Sequence, residues 1–144
     1  MSEERKKTWD QKVDLVRNSY LRSKNNQNFA KLFYNHLFFL NPKLKDYFKN
    51  TDFNHQERAL INGLDFLFDY FGKDENAKHQ ILRLAKVHNI DGLNIHPHFY
   101  YYWGEALVLA IKDSDPQYYS DMEYYLREVV SYPLSFFSSQ YFVK

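Results

Sequence analysis

The sequence predicts an all-α protein. Glycine and proline occur only four times each in 144 residues, so long segments remain without a strong helix breaker. Within those segments apolar residues recur at helical spacing, and no apolar run alternates convincingly between two faces as a strand would. A chain of this length forms one domain and can bury a core. We therefore expect a single helical domain over residues 1–144, with residues 1–7 as a flexible N-terminus.

The first two helices have recognisable beginnings. Residues Thr8 to Gln11 fit a capping box, in which the hydroxyl and the glutamine side chain each bond a backbone N–H of the other residue. The apolar face that follows carries Trp9, Val13, Val16 and Tyr20. A second helix is expected after the polar residues 26–28. Its residues at helical spacing are Phe29, Leu32, Phe33, His36 and Leu37.

The middle of the chain predicts a short helix and two longer ones. Asn41-Pro42 looks like a cap followed by proline at the first helical position, opening a segment that runs to Phe48. The next helix is expected from about Asn54 to Phe71, with Gly72 ending it. Its apolar stripe is Leu60, Ile61, Leu64, Leu67, Phe68 and Phe71. A polar link over residues 73–76 then leads to a helix that ends at His88.

Two long helices complete the domain. One is expected to begin at Pro97, and it buries Trp103, Leu107, Ala110 and Ile111. The other is expected to begin near Asp115-Pro116, again a cap followed by proline, and to run to Phe137. Pro133 lies inside it and removes the amide that would bond the carbonyl of Val129, so we expect a bend or a break there.

Composition excludes several classes of function. The formal charge is only +1, with no long run of one sign, which argues against nucleic acid or an anionic membrane as a partner. The absence of cysteine excludes disulfides, thiolate metal sites and cysteine nucleophiles. No apolar stretch is long enough to span a membrane and the N-terminus is charged, so we expect a cytoplasmic protein. Aromatic residues make up 19% of the chain, enough either to fill a core or to wall a flat ligand.

His88 is the most informative residue in this sequence. It lies on the apolar side of the predicted helix, in the last turn before the break at residues 89–92. A neutral imidazole on such a face is a good iron ligand, and a haem pocket is a common setting for one. The alternative is a core histidine that donates to a backbone carbonyl. Tyr34, Phe48 and Gln56 favour the first interpretation, because their spacing would place them around the same pocket.

These four positions resemble the globin family in order and spacing. The segment Phe-Tyr-Asn-His-Leu-Phe around Tyr34 is similar to the one that supplies a distal tyrosine. The number of residues from Tyr34 to Pro42 matches the family's separation between that tyrosine and the proline of the short helix. The number from Pro42 to Phe48 matches the separation between that proline and a haem-stacking phenylalanine. Gln56 stands 32 residues before His88, as the distal glutamine stands before the proximal histidine in that group.

The resemblance covers residues 13–141 and looks closest to single-domain bacterial globins and the globin half of flavohaemoglobins. Residues 104–111 resemble the family's penultimate helix. The resemblance implies the globin fold, with a pocket between the distal (E) and proximal (F) helices that binds haem b (iron protoporphyrin IX). His88 would ligate the iron, and Phe48 and Leu60 would border the haem.

The resemblance also implies contacts to the haem propionates. His98 or its neighbour His96 is a candidate, as is Arg58, for which a plain surface arginine is an equal alternative. A zinc site at residues 96–98 is the minor alternative for the two histidines, since there is no cysteine or nearby acid.

The distal register has two candidates, Gln56 and His55. A residue that reaches over a bound ligand should have apolar residues on the same face one turn later. From Gln56 that face reads Leu60, Leu64 and Phe68. From His55 it reads Ala59, Gly63 and Leu67, a thinner wall. We therefore predict that Gln56, with Tyr34, is the ligand-facing residue.

The function that the resemblance implies is reversible binding of O2, and of NO and CO, for binding, storage or scavenging. The alternatives are an enzyme that consumes NO or reduces nitrite or peroxide with a separate reductase, a gas sensor, and a globin-like interaction domain without haem. Flavohaemoglobins surround the proximal histidine with a tyrosine and a glutamate. Tyr100, Tyr101 and Tyr102 compete for the tyrosine position, and residues 140–141, near the glutamate position, are not acidic. An activated, peroxidase-like iron is therefore not expected.

Overall fold

A computed structural model describes residues 7–71 and 75–143, and within them every regular element is helical. The helices are α1 (Trp9–Ser23), α2 (Phe29–Leu40), a 3-10 helix (Pro42–Phe48), α3 (Phe53–Phe71), α4 (Glu75–His88), α5 (Pro97–Ser114) and α6 (Met122–Ser139). The predicted all-α class is confirmed. The expectations for a flexible N-terminus, apart from Lys7, and for a stop at Gly72 lie outside the described residues.

The predicted helix starts are confirmed where a side chain caps the backbone. The Thr8 hydroxyl accepts from the Gln11 N–H at 3.2 Å, and the Thr8 N–H donates to the Gln11 side chain at 2.9 Å. Asn41 accepts from the Lys43 N–H at 3.1 Å ahead of Pro42. Each bond satisfies an amide that the first turn of a helix leaves without a partner.

The predicted start of the last helix is wrong. Asp115 is the C-cap of α5, and α6 begins at Met122. Asp115 is buried, and its carboxylate accepts from Arg22 at 2.7 and 2.9 Å, from the Ser19 hydroxyl at 2.5 Å and from the Gln117 N–H at 2.9 Å. This carboxylate therefore ties α1 to the end of α5 instead of opening a new helix.

Two further boundaries differ from the sequence prediction. Residues 75 and 76 belong to α4 and not to the polar link. The α6 helix also continues unbroken through Pro133, so the predicted break does not occur. Pro133 is buried in α6, and the neighbouring Val129 and Val130 are buried in the core as well. Tertiary packing of this kind holds a helix together across the missing amide bond.

The helices pack in pairs around a cleft beside α3 and α4. The principal contacts join α2 with α5, α5 with α6, α3 with α4, and α1 with α6. The core between them includes the fully buried side chains Val16, Phe33, Leu37, Leu64, Leu107 and Leu126. Within the described part of the chain, no helix is long and apolar enough to cross a membrane.

Candidate functional site

Two adjoining cavities form a cleft in which the predicted residues meet. The inner cavity, of about 190 Å³, lies among α3, α4, α5 and α6, and the outer one, of about 270 Å³, opens beside the 3-10 helix. Both are lined by Tyr34, Gln56, His88, Phe99 and Trp103. These five side chains form the boundary between the two spaces, which are therefore two parts of one cleft.

His88, the last residue of α4, points its ring into this cleft. Its Nδ1 lies 2.7 Å from the carbonyl oxygen of Leu84, one turn earlier on the same helix. A carbonyl only accepts, so Nδ1 is the donor in this bond, and in the neutral tautomer with its proton on Nδ1 the lone pair belongs to the second ring nitrogen, Nε2. The core-histidine alternative is thus right about the hydrogen bond, but that bond leaves a metal-ligating nitrogen available.

Tyr34 and Gln56 form a polar pair on the cleft wall. The Gln56 Nε2 donates to the Tyr34 hydroxyl oxygen at 2.9 Å. Because that oxygen accepts, the hydroxyl hydrogen of Tyr34 remains available for another partner. Burial raises the pKa of Tyr34 to about 12, in spite of the opposing hydrogen bond from Gln56. The phenol is therefore a neutral donor at any physiological pH.

The α3 register places Gln56 on the cleft and leaves His55 exposed and off its lining. The face behind Gln56 contributes Leu60 and Leu64 to the inner cavity. Phe68 instead stacks on Tyr20, with ring centroids 4.7 Å apart. The inner cavity is also lined by Ala59, Gly63 and Leu67, the face that follows His55. The cavity wall is thus broader than the single stripe of Leu60, Leu64 and Phe68.

Phe48 lines the outer cavity at the end of the 3-10 helix. Its ring lies 5.6 Å from that of Tyr34, 5.5 Å from that of Phe38 and 6.0 Å from that of Phe53. The pairs of Phe48 with Tyr34 and with Phe38 are edge-to-face, an arrangement in which rings at such distances attract one another, so the cluster stabilises the positions of Phe48 and Tyr34.

The predicted propionate contacts lie off the lining of both cavities. Arg58 is exposed beside a separate depression next to Asn62. His98 is exposed, with its ring 5.5 Å from that of His96. His96 is linked to the cleft only indirectly, because its backbone N–H donates to the hydroxyl of Tyr47, a residue of the outer cavity, at 3.5 Å. Among the described residues, no group of three or more His, Cys, Asp or Glu could hold a metal ion.

Of the three competing tyrosines, Tyr100 is the one that lines the inner cavity. It is buried, and burial raises its pKa. Its ring stacks on that of Phe137 at 5.7 Å, and Phe137 lies 6.1 Å from the His88 ring. Tyr101 is 66% exposed. No acidic side chain of the described residues lines either cavity.

The sequence analysis does not identify Phe99 as a wall of both cavities, and it predicts Trp103 as a buried core residue. Trp103 is only half-buried, and its ring lies 5.4 Å from that of Phe33. Phe99 and Trp103 lie four positions apart on one face of α5, and this spacing is a signal that could have placed both beside a ligand.

Comparison with known proteins agrees with this geometry. The family model for globins matches residues 31–131. The chain is similar to the crystal structure of a protein from Pseudomonas aeruginosa PAO1 that is described as structurally highly homologous to a human haemoglobin. The two share 26% sequence identity with a TM-score of 0.82 over 90% of this chain and 98% of that one. Among curated protein sequences, none matches significantly.

Proposed function

This chain belongs to the globin family, and from that premise we propose that it binds haem b in the cleft and there reversibly holds O2, or NO and CO, for binding, storage or scavenging. The observation that carries the proposal is the His88 ring, whose Nδ1 is fixed by the Leu84 carbonyl while Nε2 keeps its lone pair. A hydrogen bond of this kind orients a ligating histidine and raises its basicity.

The cleft suits a flat, apolar cofactor. Each cavity by itself is smaller than the roughly 300–1,000 Å³ of a typical small-molecule site. A porphyrin would therefore extend through both, past the side chains that divide them. Phe48 and Leu60 would then border it, as the resemblance implies. Haem, when bound, supplies an iron with one coordination position for a histidine and one for a diatomic ligand.

Tyr34 and Gln56 would stabilise a polar diatomic ligand. The Gln56 amide fixes the phenol oxygen, and the hydroxyl hydrogen is left to donate into the cleft. A diatomic ligand with partial negative charge, as expected for O2, would accept this hydrogen bond, and a hydrogen bond to a charged group contributes roughly 1.5–3 kcal/mol. At about 1.4 kcal/mol per tenfold, this corresponds to tenfold tighter binding or more. CO is less polar and gains less. Tight binding with slow release suits scavenging better than bulk delivery.

An oxidative enzyme is the second candidate, and the proximal side of the cleft argues against it. A carboxylate beside the proximal histidine would make an iron electron-rich, and none of the described lining residues is acidic. Dioxygenation of NO would also need a supply of electrons. NO consumption by the O2-loaded protein, measured with a reductase supplied, separates the candidates: sustained turnover would support the enzyme.

Haem titration of the purified protein tests the proposal. We expect an intense Soret band at one haem per chain and its loss from His88→Ala, which removes the ligating nitrogen. His55→Ala is the matched control, because His55 is exposed and lines neither cavity. A protein that stays colourless after haem addition, or a His88→Ala spectrum like that of the parent, would overturn it.

A further inference from the structure

A larger apolar groove lies next to the cleft. It has a volume of about 620 Å³ and runs among α1, α3, α4 and α6. Its walls include Trp9, Tyr70, Leu82 and Phe136, and Lys78 is the charged member of its described lining. Aromatic and aliphatic walls of this kind favour small apolar molecules over water.

Ile81 belongs to the wall of both spaces. It lines the groove and the inner cavity, and it is buried, with 5% of its surface exposed. Neighbouring residues on α6 face the two spaces in turn, since Phe136 lines the groove and Phe137 the cavity. A single layer of side chains therefore separates the groove from the inner cavity, and Ile81 is its member on α4.

The boundary with the outer cavity contains specific contacts that the Ile81 layer lacks. Gln56 and Tyr34 are joined there by a hydrogen bond of 2.9 Å. Phe48, on the outer cavity, packs against the rings of Phe38 and Phe53. The side chain of Ile81 makes no hydrogen bond, so its displacement breaks only apolar packing contacts.

We propose that the groove is the access route by which diatomic gases reach the inner cavity, with Ile81 as the gate. The proposal rests on the proposed function, because it takes O2, NO and CO as the occupants. O2, NO and CO are small and weakly polar, so they partition into an apolar groove and cross a single side-chain layer when it fluctuates.

Rapid mixing of CO with the haem-loaded protein tests the gate. We expect Ile81→Ala to speed CO association and Ile81→Phe to slow it, each by about threefold to tenfold, within the range over which variants of one site differ in rate. Leu82→Phe narrows the groove without touching the cavity, so it should slow association too. Val87→Phe, exposed on the same helix and absent from both linings, should leave the rate unchanged.

A gate changes entry and exit by the same factor, so the equilibrium affinity for CO should stay constant in every variant. Unchanged association rates in both Ile81 variants would overturn the proposal. So would a change in affinity without a change in association rate, which would mean that Ile81 acts on the bound ligand and not on its passage.

A second measurement needs no haem. The two tryptophans lie on opposite sides of the gate, Trp9 on the groove and Trp103 on the cavity. In a Trp9→Phe background, O2 should quench Trp103 fluorescence more in Ile81→Ala and less in Ile81→Phe. Equal quenching in the two variants would refute the route. Failure of the parent protein to bind haem would refute the proposed function and leave this test in place.

Discussion

Replacing Tyr34 with phenylalanine isolates the contribution of one hydroxyl group. The ring makes edge or stacked contacts with the aromatic residues Phe33, Phe38, Phe48 and Phe53. Phenylalanine keeps these contacts, so the cleft should keep its shape. The hydroxyl, which accepts from Gln56 at 2.9 Å and has its own hydrogen left to donate, is lost.

The expected effect on O2 release follows from that single lost donor. A hydrogen bond to a partly charged ligand contributes at least about 1.5 kcal/mol, which corresponds to roughly a tenfold faster dissociation at about 1.4 kcal/mol per decade. Gln56 loses its acceptor in the same variant, and its amide can then donate to the ligand and offset part of the loss. Tyr34→Phe combined with Gln56→Leu should therefore release O2 faster than either single variant, and the effects should not add.

Stopped-flow displacement of O2 by CO measures these rates directly. Tyr101→Phe is the matched control, because Tyr101 is 66% exposed and lines neither cavity. CO release should change much less than O2 release, since CO is the less polar ligand. If Tyr34→Phe releases O2 at the parent rate while the control behaves as expected, Tyr34 does not donate to the ligand.

Three further predictions concern the donor's protonation and the stability of the fold. Burial raises the pKa of Tyr34 to about 12, so the rate of O2 release should be independent of pH from about 6 to about 10. An ordinary tyrosine with a pKa near 10 would instead make O2 release faster toward the upper end of this pH range. Asp115→Ala should lower the free energy of unfolding by about 3 kcal/mol, since it breaks a buried ion pair. Thermal unfolding followed by circular dichroism measures this loss of stability. A loss of less than half that size would mean that the pair is only a surface contact. Gly92→Ala should destabilise the loop after His88 and weaken haem retention, because a Cβ there would lie 2.2 Å from the backbone oxygen of Val87; a variant with parent-like melting and haem transfer to apomyoglobin would refute this.

Local signals predicted the helices, and tertiary contacts decided where those signals failed. The capping box at Thr8 is read from four adjacent residues, and the structure contains it as predicted. Asp115-Pro116 carries the same kind of local signal as Asn41-Pro42, but the Arg22 guanidinium that binds Asp115 lies far away in sequence. Burial by itself would raise the pKa of Asp115; the hydrogen bonds from Arg22 and its other donors outweigh this and lower it. No local pattern contains that information.

The candidate site divides in the same way. Spacing along the chain predicted that Tyr34, Gln56 and His88 would meet, because each faces the core side of its own helix, and the three side chains line the same cleft. For Arg58 and His98, the propionate contacts are what the resemblance implies, and no helical periodicity sets the direction of either side chain. Both are exposed and lie off the lining, since the direction of a surface side chain depends on packing that periodicity does not describe.

The hydrogen-bond partners in the cleft bear directly on what kind of chemistry it favours. The His88 Nδ1 donates to the neutral carbonyl of Leu84, and the Tyr34 oxygen accepts from the neutral amide of Gln56. Both partners are uncharged, so neither adds electron density to the imidazole or the phenol as a carboxylate would. A carboxylate behind His88 would instead push electron density toward an iron and favour oxidative bond cleavage. These uncharged partners support the proposed function, in which the cleft holds a cofactor and a polar diatomic ligand, over the oxidative alternative.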